Sequence, residues 1–158
     1  ETTIEIIERL TELGMPVVGH IGLTPQRMNQ IGGGYVQGRG NGSSATREAL
    51  VETAKRLEGA GAFSIILEAV TEETGKQVTD TVDVPTIGIG AGRYVDGQVL
   101  VINDVLGLSE ESYQLSKQYA DLNTIVQDAV ESYVDDVQKG KFPSSENVFD
   151  PIDGENNY

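Results

Sequence analysis

Short apolar runs that do not alternate with polar residues, separated by stretches of helical periodicity, set the narrowest limit on what this chain can form. The runs are Met15-Pro16-Val17-Val18, Ser64-Ile65-Ile66-Leu67, Thr86-Ile87-Gly88-Ile89 and Gln98-Val99-Leu100-Val101-Ile102. A strand buried on both faces has no polar side to show, so continuous apolar runs of this length point to parallel strands covered by helices. Between them, Ile4, Ile7 and Leu10, then Ala49, Leu50, Ala54 and Leu57, recur at helical spacing with charged residues on the opposite side. The fold class is therefore α/β with a parallel sheet, either half of a (β/α)8 barrel or a small doubly wound sheet.

The spacing predicts helices over residues 3–13, 46–58, 72–81, 110–119 and 123–139, and strands over 15–20, 64–68, 86–89 and 98–102, with a turn at 104–107. Thr2 and Glu5 fit a capping box, and Gly14 followed by Pro16 fits a helix stop. Ser43 or Ser44 is the expected cap of the second helix. Residues 21–44 carry many glycines together with Arg27, Gln30, Tyr35, Gln37 and Arg39, and a connection of that length in a compact domain is a functional loop or a disordered one. Residues 1–142 form one domain in this reading, and 143–158 a polar tail.

Charge narrows the partners. With 25 acidic against 11 basic residues the formal charge is −14, which repels nucleic acid and anionic membranes alike. The acids are dispersed over helical surfaces, as in the hydrated surfaces of halophilic proteins. The chain contains no cysteine, so neither a disulfide nor a thiolate metal site is open to it, and a reducing cytoplasm is the expected compartment. No apolar stretch approaches the roughly 18 to 20 residues of a membrane span. The chain opens on Glu1 rather than Met, so further residues upstream are expected.

Glu68 is the first candidate for chemistry. It closes the run Ser64-Ile65-Ile66-Leu67, where a carboxylate at the mouth of an apolar strand must be repaid for its desolvation. The plain alternative is an exposed acid that caps the next helix. His20, the single histidine, stands at the expected end of its strand and could orient a substrate oxygen, or could simply be a hydrogen-bonded core histidine. One histidine without cysteine excludes a His-His or His-Cys metal cluster, and no Gly-x-Ser-x-Gly elbow signals a serine nucleophile. Gly88-Ile89-Gly90-Ala91-Gly92 is not a dinucleotide fingerprint, because Tyr94, Asp96-Gly97 and another strand follow it instead of a helix. It reads as a turn whose backbone approaches a ligand or a neighbouring strand.

Five segments in order resemble ketopantoate hydroxymethyltransferase: Gly19-His20-Ile21-Gly22-Leu23-Thr24-Pro25-Gln26, Gly33-Gly34-Tyr35-Val36-Gln37-Gly38-Arg39, Leu67-Glu68-Ala69-Val70, Ile87-Gly88-Ile89-Gly90-Ala91-Gly92 and Asp96-Gly97-Gln98-Val99-Leu100-Val101. The resemblance implies a (β/α)8 barrel of which this chain is the C-terminal half, about four strands. It implies transfer of a hydroxymethyl group from 5,10-methylenetetrahydrofolate to 3-methyl-2-oxobutanoate, giving ketopantoate for pantothenate and coenzyme A synthesis. It further implies Mg²⁺, a cytoplasmic homo-oligomer that is commonly a decamer, Glu68 as proton acceptor, His20 as a substrate contact, and Gly88 and Gly90 as backbone walls of the pocket. The family's metal ligands, two Asp and one Glu, match no residue of this chain, so no metal ligand is assigned and this chain alone is expected to be inactive. Asn103 stands where the family has His. The rival readings are an enzyme of the phosphoenolpyruvate mutase and isocitrate lyase type, against which the lack of cysteine counts, and a catalytically dead half barrel serving assembly.

Overall fold

The computed structural model describes residues 2–24, 36–39, 45–109 and 113–149. The element order is α1 (Thr3–Glu12), β1 (Val18–Gly22), α2 (Arg47–Gly59), β2 (Ser64–Glu68), α3 (Glu72–Thr79), β3 (Thr86–Ile89), β4 (Gly97–Gln98), α4 (Ile102–Leu106) and α5 (Leu122–Gln138), then a 3₁₀ turn at Ser145–Asn147. All strands run parallel in one four-stranded sheet of order β1-β2-β3-β4. A doubly wound sheet reverses its strand order at a switch point, whereas a barrel adds strands in sequence. The sequential order is thus that of part of a (β/α)8 barrel.

Local chemistry sets the element ends. Thr2 and Glu5 form the predicted capping box, the Thr2 hydroxyl accepting from the Glu5 N–H and the Glu5 carboxylate accepting from the Thr2 N–H at 2.7 Å. Thr46 caps α2 by accepting from the Ala49 N–H, in place of the predicted serines, which lie outside the described residues. After β3 the chain turns through Gly92 against α3, where Arg93 donates from Nε and Nη2 to the Glu72 carboxylate at 2.9 and 2.8 Å. That side-chain pair, helped by the Arg93 N–H, holds the Glu72 carboxyl down at about 2.

Packing divides the sheet into two unlike faces. Toward the helices point Ile21, Ile65 and Leu67, with the last two fully buried at 0 % exposure, against Leu50, Ala54 and Leu57 of α2 and Val78 of α3. Gly19 shares that face: a Cβ there would come within 2.9 Å of Leu57 Cδ1. Burying such aliphatic side chains stabilises by roughly 1.5–3 kcal/mol each. The other face carries His20, Ile66, Glu68, Ile87 and Ile89, all less deeply buried, and Val18 at 41 % exposure. Parallel strands normally have cover on both sides, and in a barrel this second face is the lumen.

Four predicted elements are corrected. The first strand begins later and runs through Gly22, so His20 is its middle residue rather than its end. The run Gln98–Ile102 is a strand only at Gly97–Gln98, extended by the Val99 N–H to the Gly88 carbonyl at 2.9 Å. Beyond that point β3 has already turned away at Gly90, so Leu100 and Val101 have no partner strand among the described residues and the chain coils into α4, where a turn was expected. Residues 113–120 form no helix; the Tyr119 and Ala120 N–H groups instead donate to the Val105 carbonyl. α5 matches its predicted span and Asp121 caps it, but none of its residues is buried and Ile125, Val126, Val130 and Tyr133 are exposed. By its contacts the chain separates into a unit holding the sheet, through Ile102 with Ser112–Lys117, and a second unit holding α5. No helix among the described residues is long and apolar enough to cross a membrane.

Asp96 ties β4 to β3. Its Oδ2 accepts from the Thr86 N–H at 2.8 Å and from the Thr86 hydroxyl at 2.9 Å, and Thr86 is itself fully buried. The backbone bond from Thr86, reinforced by its hydroxyl, holds the Asp96 carboxyl below the usual carboxylate range. A depressed carboxyl contributes stability that is complete above its unfolded pKa and lost as pH falls through its folded one. Asp96→Asn is therefore expected to remove about 1 kcal/mol at neutral pH, after discounting for solvent exposure. It should also flatten the fall in stability between roughly pH 5 and pH 2. Denaturant melts across that range check both, and an unchanged slope would show that the tie adds nothing.

Candidate active site

Register brings the two titratable candidates together. On β2, Glu68 lies opposite Gly22 of β1 and Ile89 of β3, while His20 lies opposite Ile66. Side chains two residues apart share a face, so His20 and Glu68 project from the same side of the sheet, opposite Ile65 and Leu67. Their side chains meet: His20 Nε2 is 3.1 Å from Glu68 Oε2, with 32 % and 20 % of the two side chains exposed. The imidazole is the polar neighbour of the partly buried carboxylate. Glu68 does not cap α3, because that cap is Thr71, whose hydroxyl accepts from the Thr74 N–H.

The backbone around Glu68 is held on every side. Its carbonyl accepts from the Leu23 N–H at 2.8 Å, and Ala69 donates to the Ile89 carbonyl at 2.9 Å. Ala69 has a φ of +48°, a left-handed conformation that a residue with a Cβ adopts only when its surroundings impose it. Gln37 supplies part of that constraint: its N–H donates to the Ala69 carbonyl at 2.8 Å and its own carbonyl accepts from the Thr71 N–H at 3.1 Å. Its side chain, 1 % exposed, accepts from the Ala45 N–H at 3.1 Å. Gln37 thereby clamps the far end of the long loop to the segment that follows the carboxylate. A glutamine among loop glycines carried the signal, yet its burial depends on strand neighbours distant in sequence. Arg27, Gln30, Tyr35 and Gly33-Gly34 lie outside the described residues.

The two glycines separate. Gly90 lines a cavity of about 450 Å³ with Val36, Arg39, Ala69, Val70 and Leu115, beside the residue that follows Glu68. Gly88 lies on the helix-covered face across from Leu67, where Val95 Cγ2 would be 2.8 Å from an added Cβ. The structure thus brings His20, Glu68 and the Gly90 turn to one end of the sheet and leaves Gly88 in its packing. Asn103 falls in α4, at the start of the second contact unit.

The donor set does not fit a magnesium ion. Magnesium takes a near-octahedral shell of oxygens, usually with one or two carboxylates. Among the described residues no group of three or more His, Asp or Glu is gathered that could hold a metal, and one oxygen of Glu68 is engaged by His20. The chemistry these residues offer is proton abstraction by an oriented carboxylate.

The family model for ketopantoate hydroxymethyltransferase matches residues 1–145. A protein of Pseudothermotoga lettingae named 3-methyl-2-oxobutanoate hydroxymethyltransferase is 52 % identical over 144 residues, which is 90 % of this chain and 53 % of that protein. Proteins of the same name from Halobacterium salinarum and Caldivirga maquilingensis are each 48 % identical. The first aligns over 96 % of this chain and 55 % of its own length, the second over 90 % and 53 %. The chain spans about half the length of the curated relatives it matches.

Proposed function

The chain belongs to the ketopantoate hydroxymethyltransferase family, and on that premise we propose that it supplies the proton-abstracting part of a 3-methyl-2-oxobutanoate hydroxymethyltransferase. The observation that carries this reading is Glu68 itself: a carboxylate four-fifths buried at the C-terminal end of a parallel strand, with His20 Nε2 3.1 Å from one of its oxygens. In (β/α)8 enzymes that end of the sheet is where catalytic side chains gather.

In this reading Glu68 removes the proton from the carbon next to the keto group of the 2-oxo acid. The electron pair of the broken C–H bond passes into the enolate and then forms the new carbon–carbon bond to the one-carbon unit, whose two C–N bonds to the folate break as water supplies the hydroxyl oxygen; tetrahydrofolate leaves, its two nitrogens taking up the substrate proton and one proton of the water. The Ile66, Ile87 and Ile89 side chains on the same face give the branched alkyl group of the substrate an apolar surface. The donor in this proposal is 5,10-methylenetetrahydrofolate. Mg²⁺, which belongs to the proposal through the family, would be held by residues other than those described.

The test joins the chain to the segment by which the Halobacterium salinarum relative exceeds it, placed on the N-terminal side as the resemblance implies. The reconstituted enzyme, given 3-methyl-2-oxobutanoate, 5,10-methylenetetrahydrofolate and Mg²⁺, is expected to form ketopantoate. A folded reconstituted protein that forms none, and exchanges no substrate C3 proton with D₂O, would favour the catalytically dead half barrel instead.

A further inference from the structure

The position of His20 under Glu68 separates two roles that the sequence leaves together. His20 stands opposite Ile66, two residues nearer the start of β2 than Glu68, and β1 continues past it to Gly22. The imidazole therefore reaches the carboxylate from the inner side of the sheet, whereas ligands of such folds approach from beyond the strand ends.

Contact geometry restricts it further. His20 Nε2 lies 3.1 Å from Glu68 Oε2, so the ring stands against one oxygen of the carboxylate. We infer that His20 is a positioning residue: it engages Glu68 Oε2 and presents Oε1 to the substrate proton. This rests on Glu68 being the base. The substrate C3 proton moves to Oε1, and no other proton changes hands.

Two polar substitutions of similar size separate this role from a substrate contact, assayed in the reconstituted enzyme. The amide of His20→Gln places an N–H donor close to where Nε2 stands, and that of His20→Asn falls short of Glu68. His20→Asn is expected to lower kcat by roughly 10- to 100-fold, as losses of orienting partners do, with KM for the 2-oxo acid changed less than about twofold. Exchange of the substrate C3 proton with D₂O, measured without the one-carbon donor, should fall in parallel. His20→Gln should recover most of both rates. In a Glu68→Gln background, His20→Asn should add no further loss, because the residue it acts through is already disabled. The inference is overturned if His20→Asn raises KM at unchanged kcat, if Gln and Asn are equally impaired, or if the losses multiply in the double variant. Failure of the underlying reading has a different signature: Glu68→Gln alone would then exchange the C3 proton at a near-normal rate.

Discussion

Glu68→Gln is expected to reduce turnover of the reconstituted enzyme by at least about 10²-fold, the usual loss when a general base is removed. The substitution isolates basicity from structure. The glutamine amide keeps the size of the side chain that stands against His20 Nε2, the α3 cap belongs to Thr71, and the bond that the Glu68 carbonyl accepts from the Leu23 N–H does not involve the side chain. Stability should therefore move by less than about 1 kcal/mol, as for substitutions that leave packing and backbone bonds intact. If binding of the 2-oxo acid depends on other groups, KM should change little while kcat and C3-proton exchange fall together. Measuring turnover and exchange on the same preparation decides the matter. A variant that turns over within about threefold of the parent would make Glu68 a structural acid, well below the effect of a lost base.

The fold was legible wherever one segment carried the whole signal. Continuous apolar runs announced parallel strands, Thr2 with Glu5 announced a helix start, and an acid closing Ile65-Ile66-Leu67 marked the end of a strand. What stayed hidden depended on register. Nothing in Val17-Val18-Gly19-His20 shows that β1 runs on to Gly22, because glycine has no side chain to mark a strand. The meeting of His20 with Glu68 follows only once Gly22 is paired with Glu68. Gln98–Ile102 misled for a related reason: its apolar run continues after its partner β3 has turned away, and a strand without a partner has no ladder to join. Gln37 was read as a polar loop residue, whereas its buried clamp is made by Ala69, Thr71 and Ala45, which periodicity cannot assign to it.

Gly22→Ala should be the most damaging small change in the sheet, because it strikes where fold and site coincide. Gly22 has a φ of +98°, and a Cβ there would lie 2.1 Å from the Glu68 carbonyl oxygen and 2.8 Å from Val70 Cγ1. The carbonyl cannot swing aside without breaking the bond it accepts from the Leu23 N–H, which fixes the end of β1 against β2. Backbone strain and overpacking together are expected to destabilise by roughly 2–5 kcal/mol. Gly14→Ala is the matched control: its φ of +78° is also left-handed, but nothing lies within 4 Å of the added carbon. It should show the conformational penalty alone, roughly 1–2 kcal/mol. The difference between the two variants in denaturant melts then measures the collision with Glu68. Whatever Gly22→Ala protein folds must accommodate the new carbon by moving the Glu68 backbone, so its kcat should fall by roughly 10- to 100-fold, while Gly14→Ala retains full activity. Equal stability and equal kcat for the two alanine variants would mean that β1 and β2 can part at this point without disturbing the base.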